Sequence, residues 1–200
     1  MDAVVHAATG VRQSLTSRST DLGGTRRLIQ IARKARIGHV VYVSIVGIDG
    51  VNFPYYRTKL AAEHAVSEAG VPWSILRATQ FHDLMELFLR GFSMVPGVIA
   101  FPFAWQFQPV DASDVADRVV EAALGKPAGR LPDFGGPELR DFKSIAGSWL
   151  TARKETRRLV NLWLPYEFSR QVADGMLTTP EHRSGLITFE QYPIERYSPS

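Results

Sequence analysis

Three short apolar runs set the frame of this chain. Ala3–His6 reads AVVH, Val40–Ser44 lies in HVVYVS, and Trp73–Arg77 lies in VPWSILRA. Each is too short for a helix with its own apolar stripe, and near-continuous apolarity is how a strand buried on both faces reads. Longer stretches of different periodicity separate them. A helix starting at Thr20 or Asp21 gathers Leu22, Leu28, Ile29, Ala32 and Ala35 near one face and leaves Arg26, Arg27, Arg33 and Lys34 in water, with Gly38 marking its end. Tyr55–Ala69 offers a close-packing surface of Ala61, Ala62, Ala65, Val66 and Ala69, stopped by Gly70. Parallel strands need crossovers of about a dozen residues or more, and right-handed helical crossovers are the common solution. The pattern predicts an α/β chain built on a doubly wound parallel sheet.

Beyond the third strand, Phe81–Phe92 reads as a helix and Phe107–Val110 as a short extended piece. DASDVADRVVEAAL follows, with Asp111 or Ser113 as its cap and Val115, Val119, Ala122 and Ala123 facing the core. Arg130–Phe134 reads as a further strand. Phe142, Ile145 and Trp149 stand at helical spacing after Pro137. After Arg153 the pattern weakens. LVNLWLPYEFSRQVADG reads as a helix or a substrate-side lid, Arg153, Lys154, Arg157 and Arg158 as a solvated helix face, and the final ERYSPS as a loose tail. Trp149, Trp163, Tyr166 and Phe168 are expected to pack the carboxyl-terminal helices, with some of them free to line an apolar pocket. The reading is a single domain over 1–200, with 154–200 its weakly matched end.

Composition narrows the function classes. The chain has 200 residues, no cysteine and a formal charge of +3. No disulfide can form and no thiolate can serve as nucleophile or metal ligand, which fits a cytoplasmic setting. The basic residues are scattered, so no nucleic-acid surface is expected. The start lacks the apolar core of a signal peptide, and the most apolar uncharged stretch, Phe92–Phe107, is broken by Pro96, Gly97 and Pro102, so no membrane span is expected. His6, His39, His64, His82 and His182 form no HxH or HExxH set, and ordinary polar roles are expected for them rather than metal binding. Asp111 and Asp114 suit a helix start.

One cluster carries chemistry. Ser44 falls at the carboxyl end of the second strand, and Tyr55 and Lys59 share one face of the next helix. Open parallel sheets bind ligands beyond the carboxyl ends of their strands, so a hydroxyl, a phenol and an ammonium can converge on one crevice. Tyr55 would exchange a proton with a substrate oxygen, Lys59 would favour its phenolate and Ser44 would orient that oxygen. Tyr56 is a rival phenol three residues from Lys59. Packing tyrosines and a solvated lysine are the plainer alternative.

The segments VVHAATG, DLGGTRRLIQIARKARIGHVVYVSIVGID, YYRTKLAAEHAVSEAGVPWSILRATQFHD and FQPVDASDVADRVVEAALGKPAGRLPDFGGPE together resemble the atypical short-chain dehydrogenase/reductases, in the NmrA-like group of NAD(P)-binding proteins. The resemblance covers most of residues 2–153. It implies a Rossmann-like fold and NADP(H) or NAD(H) as cofactor. It implies that Ala7, Ala8 and Thr9 pass beside the adenosine and ribose, that Ser44, Tyr55 and Lys59 form the catalytic trio with Lys59 also on the ribose, and that Ala78, Thr79, Gln80 and Phe81, just after Arg77, run near the nicotinamide. A small carbonyl or quinone substrate follows from members that reduce such compounds. Other members lack the trio or sense redox state, so a non-catalytic NAD(P)-sensing or protein-interaction module is the rival reading, and an inactive truncated product a third.

A glycine-rich turn opening a helix normally holds the pyrophosphate of a dinucleotide. No strand, turn and helix of that kind precede VVHAATG, and Gly23-Gly24, Gly47 and Gly50, and Gly135-Gly136 stand in the wrong places. The resemblance identifies AVVH with the fourth strand of the usual sheet, which makes this an amino-terminally truncated, partial Rossmann-like domain. Two expectations follow. Dinucleotide affinity should be weak or lost, and the AVVH strand should form an exposed edge, leaving the chain marginally stable or self-associating.

Overall fold

A computed structural model describes residues 2–8 and 21–192. In chain order the elements are β1 (Ala3–His6), α1 (Gly23–Lys34), β2 (His39–Ile45), α2 (Pro54–Ser67), β3 (Trp73–Ala78), α3 (His82–Phe92), β4 (Val98–Phe101) and β5 (Gln106–Phe107). They continue with α4 (Ala112–Leu124), β6 (Gly129–Arg130), β7 (Arg140–Asp141), α5 (Phe142–Ala152), β8 (Arg158–Asn161) and α6 (Glu167–Ala173). Two compact units result. One holds Met1–Ala78 and Ala116–Asp133, the other Thr79–Val115 and Phe134–Ser200.

The first unit is built on a four-stranded sheet in the order β1-β2-β3-β6, every pair parallel. The expected α/β class and parallel sheet are present. Register places His6 opposite Tyr42, Tyr42 opposite Ile75 and Ser44 opposite Arg77. Alternation then puts His6, Val40, Tyr42, Ser44, Ile75 and Arg77 on one face. The helices α1 and α2 cover that face: Ile29 and Ala32 of α1 and Ala62 and Val66 of α2 close a core with Val40, Tyr42, Val71 and Ile75. On the opposite face Val41 and Leu76 are fully buried too. Among the described residues β1 pairs on one side alone, and Val5 is half exposed.

Several local expectations need correction. The end of α1 is made by Arg36, at φ 54°, rather than by Gly38. Ile37 N–H reaches back to Ala32 O at 2.9 Å and Arg36 N–H to Arg33 O at 3.2 Å, the bonds that close a left-handed helix end. A side chain in that conformation costs about 1 kcal/mol, which is why glycine is the usual choice there. Gly70, at φ 64°, fills the corresponding turn after α2. The strand expected over 130–134 shrinks to Gly129–Arg130. The basic cluster is not a helix face. Arg153 caps α5, Lys154 turns the chain at φ 54°, and Arg158 opens β8, while Arg153 and Arg157 both pair with Glu155.

The second unit packs around aromatic rings. Phe142, at the start of α5, meets Phe92, Phe101, Trp105 and Phe107 with centroids 4.7–6.3 Å apart. Strand β8 pairs in parallel with β4, and β7 pairs antiparallel with β5. LVNLWLPYEFSRQVADG is thus a strand, a loop and the short helix α6 rather than one helix. Trp149 is buried and Phe168 packs edge-on against Trp105, whereas Trp163 and Tyr166 are exposed, against the packing expected of them. The tail residues 195–200 lie outside the described residues.

Glycine is required at the adjacent positions 135 and 136 in this unit, where a Cβ on Gly135 would stand 2.6 Å from His182 O. A Cβ on Gly136 would stand 1.7 Å from Pro109 O. Gln108 makes that approach, its amide donating to Gly136 O at 2.8 Å and accepting from Thr179 N–H at 2.8 Å. Asp111 caps α4, accepting from Ser113 N–H at 2.8 Å. Asp114 does something else: it accepts from Leu186 and Ile187 N–H at 2.8 and 3.0 Å, holding down the chain that follows. That chain then seats Phe189 and Tyr192 against the ring of His82, with centroids 5.5 and 5.2 Å away.

His82 is 1% exposed and lies 3.4 Å from the Asp111 carboxylate, without hydrogen-bond geometry. Burial holds its pKa below the ordinary 6.5, against the pull of Asp111. The neutral ring therefore belongs to the fold. Its stabilisation is complete above pH 6.5 and declines as pH falls from there toward the folded pKa, because the unfolded chain takes up the proton first. Urea unfolding from pH 7 to pH 5 should show this slope, to which the buried His6 and His39 contribute as well, and His82→Phe should make it shallower.

In the first unit, Arg77 is 3% exposed and is held bidentately by Glu63 at 2.8 and 2.7 Å, with Asp49 as a second, exposed partner. Removing one member of a buried pair costs about 3–5 kcal/mol, whereas replacing both with apolar groups is often neutral. Glu63→Gln should lower the unfolding free energy by about 3 kcal/mol. The double variant Glu63→Met, Arg77→Met should recover most of that loss in urea titration.

Candidate functional site

The polar residues of the first unit gather at the carboxyl ends of β1, β2 and β3, on the face covered by α1 and α2. Parallel strands all end on this side, so the crossover helices begin there and bring their first turns over the same edge. Pro54 starts α2, where its missing N–H and fixed φ suit the first turn. Tyr55 sits half-buried in that turn, and Lys59 follows one turn later on the same face.

Lys59 is the centre of the cluster. It is 4% exposed, its Nζ donates to Val43 O at 2.9 Å, and it stands 4.3 Å from the centroid of the Tyr42 ring. The carbonyl and the ring face are the two partners that an ammonium can use in a dry setting. Burial still lowers its pKa from 10.5 to about 8, against the opposing pull of Asp21 and Glu63. Val43 directly precedes Ser44, so this hydrogen bond brings Lys59 to the strand end that carries the serine. Ser44 is 3% exposed, and among the described residues its Oγ has no hydrogen-bond partner. A buried hydroxyl left unpaired costs about 1–3 kcal/mol, so this one is notable.

The rival phenol fares worse. Burial pushes the Tyr56 pKa up, with Tyr55 adding to the shift. Tyr56 also packs edge-on against Phe53, centroids 5.3 Å apart. Such a phenol stays protonated and serves packing. Tyr55 and Tyr56 are themselves 5.9 Å apart, with rings tilted by 51°.

His6 belongs to this cluster, although its sequence context suggests only an ordinary polar role. Its ring lies 5.1 Å from the Tyr42 ring that Lys59 also faces. Thr25 Oγ donates its one hydrogen to Asp21 O at 2.6 Å, so at 2.8 Å it can only accept from His6 Nε2–H. This fixes the tautomer. Burial lowers the His6 pKa, with the Lys59 charge acting the same way and Asp21 opposing. The available signal was alternation: counting back from His6 in β1 puts it on the face of Tyr42, given the register.

The other residues assigned to the cofactor divide. Ala7 and Ala8 are exposed, just past the end of β1, and Thr9 lies outside the described residues. Ala78 ends β3 and is buried in the first unit. Thr79, Gln80 and Phe81 belong to the second. Thr79 Oγ donates to Gln108 O at 2.5 Å and accepts from Gly136 N–H at 3.2 Å, and Gln80 Nε2 donates to Leu177 O at 2.7 Å. These two side chains are engaged in holding their own unit. Among the described residues no group of three or more metal-binding side chains converges, and no helix is long and apolar enough to cross a membrane.

An open parallel sheet with helical crossovers and polar groups at its strand ends is a Rossmann-type architecture. Comparison with known proteins agrees. Residues 1–87 match the model of a family described as NAD(P)H-binding. The fold is shared with a nucleoside-diphosphate-sugar epimerase from Staphylococcus aureus, at 14% identity and TM-score 0.72 over 97% of this chain and 76% of that one. It is shared with a UDP-glucuronic acid 4-epimerase mutant from Bacillus cereus solved with NAD, at 16% identity and TM-score 0.69 over 97% and 73%. An NADPH-dependent quinone oxidoreductase from Escherichia coli matches at 14% identity and TM-score 0.66 over 88% and 74%. No curated protein sequence matches.

The Lys59 shift has a measurable sign. Between pH 8 and 10.5 the unfolded chain carries the proton and the folded chain does not, so the Lys59 contribution to stability should rise with pH through that window, opposed near its top by the raised pKa values of Tyr42 and Tyr56. Nitrogen-15 NMR of the lysine side chains should find one ammonium titrating near 8. Lys59→Met should remove both that resonance and the rise in stability just above pH 8. A full set of lysines titrating near 10.5 would contradict the burial argument.

Proposed function

We propose that this chain is an NAD(P)(H)-binding oxidoreductase relative acting on a small carbonyl or quinone compound, with Ser44, Tyr55 and Lys59 as its chemical residues. The observation that carries the reading is the unpaired, buried Ser44 hydroxyl next to the carbonyl that holds Lys59. A native fold leaves such a group unsatisfied mainly where something else completes it. The match to an NAD(P)H-binding family model and the fold shared with a quinone oxidoreductase support the choice of cofactor and substrate class.

The residues fit a nicotinamide dinucleotide in part. The small, exposed side chains of Ala7 and Ala8 allow a ribose or base to approach the end of β1. Lys59 has ammonium hydrogens beyond the one given to Val43 O, suited to ribose hydroxyls.

When bound, the nicotinamide would supply or accept hydride. The chain's own residues do the rest. Ser44 donates a hydrogen bond to the substrate oxygen and orients it. Tyr55 gives that oxygen a proton as charge develops on it. Lys59, charged below about pH 8, favours the tyrosinate left behind. Above that pH the ammonium is lost, and turnover should fall with it.

Calorimetry with NADPH and NADH, followed by turnover assays with a benzoquinone or a small aldehyde, tests this. One-to-one binding is expected. Tyr55→Phe should reduce kcat by about a hundredfold or more with affinity for NADPH nearly unchanged. Binding without turnover of either substrate would instead favour a sensing or interaction module. Unchanged turnover in Tyr55→Phe would remove that residue from the chemistry.

A further inference from the structure

The second unit contains an open cavity of about 670 Å3 that the proposed chemistry does not use. It is formed by the chain entering β5, the loop from β8 to α6, and the first turns of α6. Trp105, Trp163 and Tyr166 are among its lining residues. Trp163 is 82% exposed and Tyr166 68% exposed, whereas the neighbouring aromatic residues of this unit pack into its core. Two large rings left in water beside one hollow are costly unless something covers them.

The loop that presents them is held at both ends. Leu162 N–H donates to Phe101 O at 3.0 Å, and Trp105 Nε1 donates to Ser169 Oγ at 2.9 Å, tying α6 to the cavity wall. The volume lies in the range of ordinary small-molecule sites, which run from about 300 to 1,000 Å3.

Several polar groups of the lining keep a donor to give. Ser169 Oγ accepts from Trp105, which leaves its own hydrogen to give. Asn161 Oδ1 accepts from Phe103 N–H at 3.0 Å, which leaves its amide hydrogens. The lining has two charged residues. Glu167 is bonded to the Gln171 amide at 3.3 Å, whereas the Arg170 guanidinium has neither an ion pair nor a hydrogen bond among the described residues. Flat aromatic walls, spare donors and an unpaired planar cation together fit one class of molecule. We propose that this cavity binds a multi-ring aromatic compound bearing an acidic group, its rings against Trp163 and Tyr166 and its anion on Arg170.

Two dyes of matched shape test it: 8-anilinonaphthalene-1-sulfonate, and N-phenyl-1-naphthylamine, which has the same rings without the sulfonate. Fluorescence titration of the full chain should show one saturable site for the sulfonate and at least about tenfold weaker binding of the neutral dye. Arg170→Gln should bring the sulfonate down to the level of the neutral dye, and Trp163→Ala should weaken both. Both positions are exposed, so circular dichroism should confirm that the variants fold. Equal affinity for the two dyes would overturn the proposal. So would sulfonate binding that neither substitution changes, or no saturable site at all. None of these outcomes depends on whether NADPH binds.

Discussion

At one end of the sheet in the first unit, three side chains with cationic forms are taken out of water together, and each needs a partner that only a covering helix or a strand end can provide. His6 is met by Thr25 of α1. Lys59 comes down from α2 onto Val43 O and the Tyr42 ring. Arg77 is met by Glu63, also from α2. Desolvating such groups is expensive, and the expense is offset only when the partners stand in good geometry. The helices are thus fastened over the strand ends by directional contacts, while the apolar core of Ile29, Ala32, Ala62, Val66 and Ile75 presses them on elsewhere without fixing their rotation.

The same arrangement explains why Ser44 stands out. It shares a register level with Arg77, on the same face, yet the arginine is fully matched and the serine is not. A cluster assembled for stability alone would close on itself. This one closes around two basic groups and leaves a hydroxyl beside them, a combination of a fixed charge and a spare donor that suits a ligand oxygen.

Much of this was legible in the sequence, and the limits have physical causes. Apolar runs and helical stripes locate β1, β2, β3, α1, α2 and α3 because burial on a sheet imposes a period that survives in the residues. Tyr55 and Lys59 could be paired from spacing alone. His6 could not be joined to them, since its place depends on which strand lies beside β1 and in what register. The strand at Arg158–Asn161 was hidden for a similar reason: four residues of mixed polarity become a strand only because β4 offers a parallel partner. Arg36 shows the reverse failure. Composition pointed to Gly38, but tertiary packing set the helix end two residues earlier and accepted the strain.

Gly136 carries a further implication. Pro109 O stands where any side chain would begin, and Gln108 bonds to the very backbone that approaches it. The two stretches therefore touch main chain to main chain at Pro109 and Gly136, and the side chains of Gln108 and Thr79 tie them together there. Nothing compressible lies in that seam. A displacement of Gly136 is passed to residues 108–110 with little loss, and through the Val110 bridge to Phe81 and the start of α3. The second unit thus owns a seam in which main chain abuts main chain, fastened by Gln108 and Thr79 rather than by its aromatic core.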